Sequence, residues 1–382
     1  MVETLQEEGY SFLSVAHHNY AGLIKLYAAI PDIINTIWAS ETVILSCMSD
    51  PFCRADFPRA QAHALGMADV RGVIPSWKMM AVSYWGAHPT SWEYGQREGD
   101  GFAFNPLGHE WALVPYPYPG HTHIPMSLEK QCTATPFIPH HNRKDTAVIL
   151  GKLTPYFFPN RSGDLPPSLE AWQGFLRETG LQAIGNAKPL FPGVEGEPQS
   201  TPEGVLNRGP VGRDEFTEEV GKARMMIGIG MPAISPSPYL ALCQGVPALI
   251  PYDGNDPTPP GFERYSLGRT QHGPAASLGE PYVYSYNRHD VQSLYAAARK
   301  ARANPIKPFI PDEMRHAHVA RLTLQAVNRD YHALAREIER QRLHKGGEDA
   351  VYAAIPDHVR ETVFGHGWGM RMMRDGTVGK TL

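Results

Sequence analysis

Residues 225–250, MMIGIGMPAISPSPYLALCQGVPALI, constrain the fold of this chain more than any other stretch. An apolar run at 225–230 enters a glycine-rich turn. Ser237 and Pro238 then open a short helix through Gln244: Ser suits the N-cap, and Pro suits the first helical position, where its missing N–H costs nothing. Gly245 stops that helix, and 247–250 reads as a second buried strand.

The same pattern recurs on both sides. Residues 146–150 (TAVIL) form an apolar run that ends at Gly151-Lys152. Residues 168–179 read as a helix with Leu169, Trp172, Phe175 and Leu176 on one face. Gly212-Arg213-Asp214 opens another helix through Lys222, with Asp214 as N-cap and Glu215, Glu218 and Glu219 in its early turns, where the helix dipole favours acids. A strand at 282–286 and a helix at 291–303 follow. Strands alternating with helices in short units specify a parallel sheet wound with helices.

The first half is less regular. Leu23, Leu26, Tyr27, Ile30, Ile33, Ile34 and Ile37 recur at helical spacing, with Pro31 as a boundary, and 42–46 reads as a buried strand. Residues 50–140 read as short strands and long loops. Their aromatics, Trp77, Tyr84, Trp85, Trp92 and Trp111, suit either core packing or a platform for an acceptor sugar. Residues 315–343 read as one long amphipathic helix with Val319, Leu322, Val327, Tyr331, Leu334 and Ile338 as its apolar stripe.

At 382 residues the chain is long enough for two domains. A formal charge of -4 gives no basic excess, so no nucleic-acid partner is expected. No stretch reaches the roughly 18–20 apolar residues that span a bilayer, since Lys25, Pro31 and Asp32 interrupt the closest one, and no leader pattern opens the chain. Cys47 and Cys53 are close enough for a small disulfide loop in an oxidising compartment. Four free thiols, with Cys132 and Cys243, suit a reducing one equally. The paired histidines His17, His18, His140 and His141 read as surface residues, and Asn160-Arg161-Ser162 is a glycosylation sequon.

A helix N-terminus at the carboxyl edge of a parallel sheet offers free N–H groups and a positive dipole end, a seat for a diphosphate. Gly228 and Gly230 would let backbone approach such a ligand. A well-capped β–α–β unit with no ligand has the same pattern. The glycine spacing is not G-x-G-x-x-G, so no nicotinamide cofactor is expected.

Residues 207–250, NRGPVGRDEFTEEVGKARMMIGIGMPAISPSPYLALCQGVPALI, resemble the donor-binding domain of the alpha-1,6-mannosylglycoprotein 6-beta-N-acetylglucosaminyltransferase family, which branches N-glycans. A G-R-D/E helix, a G-x-G-x-P turn, a P-x-P helix start and a small-residue helix ending in glycine carry the likeness. Gln271-His272 with Gly279-Glu280-Pro281-Tyr282-Val283-Tyr284, and Leu150-Gly151-Lys152, extend it in the same order. The resemblance implies an α/β fold of GT-B type, with two Rossmann-like domains facing a cleft and a truncated or divergent N-terminal one. It divides the chain into an acceptor-side domain at 1–140, a donor domain at 141–312, a closing helix at 313–345 and a tail at 346–382. It implies an inverting glycosyltransferase that moves N-acetylglucosamine from UDP-N-acetylglucosamine to a mannose arm of a glycoprotein N-glycan. No metal or other cofactor is implied, and no D-x-D motif occurs. The family setting is the Golgi lumen, with the membrane anchor missing from this chain.

Carried onto this sequence, the donor site comprises Gly151, Lys152, Gly228, Gly230, Pro236, Ser237, Pro238, Tyr239 and His272. Two family positions depart. The acidic residue that holds the donor ribose is matched by Leu240, and a second acidic position falls on Ile234. The family's base, a glutamate early in an N-terminal helix, is matched most nearly by Tyr20-Ala21-Gly22-Leu23-Ile24, which has no carboxylate, so the catalytic base is unassigned. The departures leave open a catalytically inactive relative that binds a nucleotide or glycan. A nucleotide-sugar epimerase or synthase of the same architecture is a third reading.

Overall fold

The computed structural model describes residues 2–15, 20–83, 104–116, 120–158, 166–232, 234–254 and 271–346. The expectations for His17, His18, Tyr84, Trp85, Trp92, the sequon at Asn160 and the tail lie outside the described residues. The chain forms two units: unit 1 comprises Met1–Pro125 and Ala317–Leu382, and unit 2 comprises Met126–His316.

Unit 1 opens with α1 (Val2–Glu7) and α2 (Tyr20–Ala29). It continues through β1 (Ile37–Ser40), α3 (Glu41–Met48), α4 (Arg59–Ala64), β2 (Met79–Val82), β3 (Ala112–Val114) and β4 (Thr122–His123). These strands are parallel and lie in chain order, so β1 is an edge. Residues 42–46, expected as a strand, are helical. Ile44, Leu45, Cys47 and Met48 are all fully buried, a 0, 1, 3, 4 spacing that only a helix turns to one side. Ile37, counted above in a helical stripe, belongs to β1 instead. The core of this face joins α3 to Met79, Ala81, Ala112 and Phe104. Asn105, fully buried, donates to the carbonyls of Ser76 and Met79 and accepts from Leu107 N at 2.9 Å. One amide thus fixes an irregular chain segment against β2. Cys47 is bridged to Cys53.

Unit 2 starts with α5 (Glu129–Ala134). It then runs β5 (Thr146–Leu150), α6 (Leu169–Thr179), β6 (Gln182–Gly185), β7 (Val205–Asn207), α7 (Arg213–Lys222), β8 (Met225–Gly228), α8 (Ser237–Cys243), β9 (Ala248–Tyr252), α9 (Gly273–Ala276), β10 (Val283–Asn287) and α10 (Val291–Ala303). Its sheet has the order β10-β9-β8-β5-β6-β7, every pairing parallel. The chain fills one side of β5 with β6 and β7, then crosses to the other side with β8, β9 and β10. That is the 3-2-1-4-5-6 order of the Rossmann fold. The expected strands and helices of this half all form. β6 and β7 were not foreseen.

The sheet buries Ile149, Ile227 and Leu249 against Trp172, Phe175, Leu294 and Tyr295 of α6 and α10. Val148 and Met226 face α7 and α8. A second disulfide joins Cys132 of α5 to Cys243 of α8. Beyond β6, the loop through residues 188–199 is gathered by Gln199. Its Nε2 donates to the carbonyls of Phe191, Val194 and Glu197, and its Oε1 accepts from Gly193 N.

The chain returns to unit 1 with α11 (His316–Asn328) and α12 (Tyr331–Gly346). The single long helix expected at 315–343 is therefore two. Asp330 ends the first and caps the second, its carboxylate accepting from Ala333 N at 2.8 Å. Val319, Ala326, Tyr331 and Ala335 pack with Trp111, Leu113 and Met80, so Trp111 is a core residue. Among the described residues no helix is long and apolar enough to cross a membrane.

Candidate functional site

In a sheet wound this way, ligands bind outside the carboxyl ends of the strands where the order reverses, here between β5 and β8. Two loops leave that point, one at Gly151-Lys152 and one through residues 229–236. They touch: a Cβ on Gly151 would lie 2.8 Å from Ile229 Cδ1 and 3.2 Å from Phe157 Cε2, so any larger residue would have to push the tip of Ile229 aside. Gly228 ends β8 with its carbonyl accepting from Tyr286 OH at 2.7 Å. A Cβ there would meet Gln271 Oε1 at 2.1 Å. Gly230 has φ +102°, a left-handed conformation that demands glycine.

Gln271 and His272 fasten the second loop from β9's side. Gln271, 1% exposed, accepts from Gly230 N at 3.0 Å and donates to Pro232 O at 2.8 Å. His272, fully buried at φ +53°, bonds Ser235 O through Nε2 and meets the Tyr239 ring edge-on at 5.4 Å. Ser235 Oγ in turn accepts from Ser237 N at 3.1 Å. Ser237 was expected as the N-cap of α8. It is instead the first helical residue after Pro236, and Ser235 supplies the hydroxyl. Asp214 likewise lies in the first turn of α7 behind Gly212, which is the cap. In α7 as in α8, the chain enters the helix earlier than side-chain preference alone indicates.

The proposed donor residues fall into two groups. Gly151, Lys152, Gly228, Gly230, Pro236 and Ser237 come to the carboxyl edge beside the switch point. Lys152 and Pro236 are exposed, and Ser237 is half-buried. Pro238, Tyr239 and His272 are enclosed in the packing beneath. Leu240 and Ile234 are also enclosed, 7% and 2% exposed.

Lys188 was missed. Its N–H donates to Lys152 O, and its carbonyl accepts from Thr154 N, both at 3.0 Å. This zips the loop after β6 to the loop after β5. Both lysine side chains are exposed, and neither ion-pairs with an acid among the described residues. The signal was a lysine a few residues past an apolar pair, as at Lys152. A carboxylate also stands at this edge: Asp253, after β9, bridged to Arg288 at 3.4 Å and His289 at 3.1 Å. A cavity of about 180 Å³ in unit 2 lies on the α7 face, between Lys144, Thr146, Glu215 and Lys222, away from this edge.

In unit 1, Tyr20 opens α2 and its hydroxyl donates to Asp50. Burial raises the proton affinity of Asp50. Asp50 follows the C-terminal end of α3 and so lies away from the carboxyl end of β1, where that helix begins.

Burial holds the His272 imidazole down to about 4. Below the ordinary 6.5 the unfolded chain takes up a proton that the folded chain refuses, so stability falls with pH from 6.5 to about 4. The expected loss in unit 2 is about 3 kcal/mol. His272→Gln keeps a donor for Ser235 O but does not titrate, and it should flatten that part of the dependence. Urea unfolding across the window checks this; an equal slope in both proteins would refute it.

No protein-family model and no curated protein matches the chain. Solved structures similar in outline include the glycotransferase of kitacinnamycin, at 13% identity and TM-score 0.36, covering 87% of this chain and 85% of that one. UGT89C1 of Arabidopsis thaliana aligns at 11% identity and TM-score 0.31, over 90% and 75%. The UDP-forming alpha,alpha-trehalose-phosphate synthase of Burkholderia vietnamiensis aligns at 15% and 0.29, over 58% and 53%. No function follows from likeness at these scores. What the structure itself establishes is the α/β fold of each unit, built on its own parallel sheet.

Proposed function

We propose that unit 2 seats the diphosphate of a nucleotide sugar at the β5–β8 switch point, and that the protein is an inverting glycosyltransferase. It moves N-acetylglucosamine from UDP-N-acetylglucosamine to a mannose arm of an N-glycan. The observation that carries the reading is the strand order, which brings Gly151-Lys152 and the Gly228–Gly230 turn together at one carboxyl edge. Sugar and acceptor come from the resemblance over residues 207–290. In this reaction the acceptor hydroxyl oxygen bonds to the anomeric carbon from the face opposite UDP. The bond from that carbon to the diphosphate breaks, UDP leaves with the electron pair, and the hydroxyl proton passes to a base not yet assigned. Lys152 and Lys188 supply positive charge for the departing diphosphate, and the reading calls on no metal. Two disulfides suit an oxidising compartment such as the Golgi lumen. Calorimetric titration with UDP and UDP-N-acetylglucosamine should show saturable binding; no heat from either removes the proposal.

The burial of Leu240 and Ile234 favours a second reading, a relative that binds a nucleotide or glycan without transfer. In that case UDP-N-acetylglucosamine with an N-glycan acceptor releases no UDP. Leu240→Glu would restore a carboxylate for the ribose. A charged hydrogen bond contributes about 1.5–3 kcal/mol, so UDP should bind about 10- to 100-fold more tightly if the seat is otherwise intact. UDP release by the wild-type protein would dismiss this second reading.

A further inference from the structure

Asp253 directly follows β9, the strand next to β8. It stands one strand from the switch point, on the flank away from Lys152 and Lys188. The chain after β10 fixes its place. Arg288 N donates to Tyr252 O at 3.0 Å, and Asn287 Oδ1 accepts from His289 N at 3.0 Å. Gly254 lies against the Asn287 amide, where a Cβ would meet Nδ2 at 1.9 Å. Arg288 and His289 thereby reach the Asp253 carboxylate, one on each oxygen, at 3.4 Å on Oδ2 and 3.1 Å on Oδ1, and the side chain stays 19% exposed. Asp290, a second acid beside these strand ends, is committed to Gln292 N at the start of α10. The carboxyl edge of the sheet thus carries opposite charge on its two flanks: lysines beyond β5 and β6, an anchored carboxylate beyond β9.

We propose that Asp253 receives the vicinal hydroxyls of a sugar ring whose phosphate sits at the switch point, which makes it a specificity-determining residue. The inference rests on the diphosphate seat proposed above. The two oxygens of a carboxylate match the two hydroxyls of a diol, and about four acceptor sites let one carboxylate serve cations and hydroxyls together. The reach is right. Strands lie about 4.8 Å apart, so a phosphate over the β5–β8 gap is about 7 Å from the end of β9. One sugar ring bonded to that phosphate spans this distance. The lysines draw the diphosphate to one flank, and the carboxylate repels it from the other, so the neutral, hydroxyl-bearing ring is the part that lies over β9. A nucleotide sugar has two such rings, the ribose and the transferred sugar, and both offer the same chemistry.

The test is calorimetry on the intact protein and on Asp253→Ala with four ligands: UDP, 2′-deoxy-UDP, UDP-N-acetylglucosamine and its 4-deoxy analogue. Removing the hydroxyl that meets Asp253 should weaken binding to the wild type by about 10-fold or more. The same removal should change nothing in the variant, which has no carboxylate to lose it. A penalty between UDP and 2′-deoxy-UDP assigns the ribose. A penalty between UDP-N-acetylglucosamine and its 4-deoxy analogue assigns the transferred sugar. An Asp253 that only braces the loop would leave the deoxy penalties equal in both proteins, and that result overturns the proposal. Wild-type protein that binds UDP and UDP-N-acetylglucosamine yet shows no penalty for either deoxy ligand also overturns it, whether or not the variant folds. Both results leave the diphosphate seat standing. No heat from any of the four ligands removes the seat, and this inference with it.

Discussion

Removing the bridge between Cys132 and Cys243 is expected to lower the unfolding free energy of unit 2 by about 5 kcal/mol. The two cysteines are 111 residues apart, and a cross-link restricts the unfolded chain by an amount that grows with the logarithm of the loop it closes. The bridge also ends on α8, the helix that follows the switch-point loop. The double variant Cys132→Ser with Cys243→Ser should shift the urea midpoint read by Trp172, which is buried in the core of unit 2. Cys47–Cys53 spans only 6 residues, and by the same relation its loss should cost unit 1 about 2 kcal/mol. A Trp172 transition that does not move in the first double variant would sink the expectation.

Arg143→Met should cost about as much, 3–5 kcal/mol as an order of magnitude. Arg143 is 5% exposed. Its Nε donates to Ile138 O at 2.9 Å, Nη1 to Gly245 O at 2.9 Å and Nη2 to Gln244 O at 2.6 Å. Gln244 and Gly245 directly follow α8, where a cation complements the helix dipole. Burial lowers the guanidinium to about 10, so it stays charged at neutral pH. Methionine preserves much of the stem but leaves buried carbonyls without donors. Arg143→Lys should recover only part of the loss, because one ammonium cannot span carbonyls that a planar fork reaches together. Urea unfolding decides this; a loss under about 1 kcal/mol for the Met variant would show that water replaces the arginine.

Unit 2 was legible in sequence where a strand is an apolar run with punctuation: TAVIL before Gly151, MMIG before the glycine turn, ALIPY after Gly245. β6 and β7 were not. QAIG and VLN are three or four residues long, and what makes them strands is pairing to β5 and to each other, which no local pattern carries. In unit 1 the same limit told more heavily. β3 and β4 are three and two residues long, and ETVILSCM has β-branched residues that tertiary burial overrides into α3. At the site, the glycines and the Ser-Pro helix start could be read, because backbone geometry demands those residue types. The enclosure of His272 and the pairing of Cys132 with Cys243 could not, since both depend on segments far apart in the chain. Arg143 had no signal beyond standing three residues before β5.

A single side-chain nitrogen gathers the far part of the loop beyond β6. Gln199 Nε2 serves three carbonyls at once, while Leu190, Phe191 and Val194 of the same loop stay exposed. Deamidation of Gln199 would put an oxygen where that nitrogen donates, facing three other oxygens. Chemical ageing at this one side chain would open the loop to proteases and leave the sheet beneath it intact.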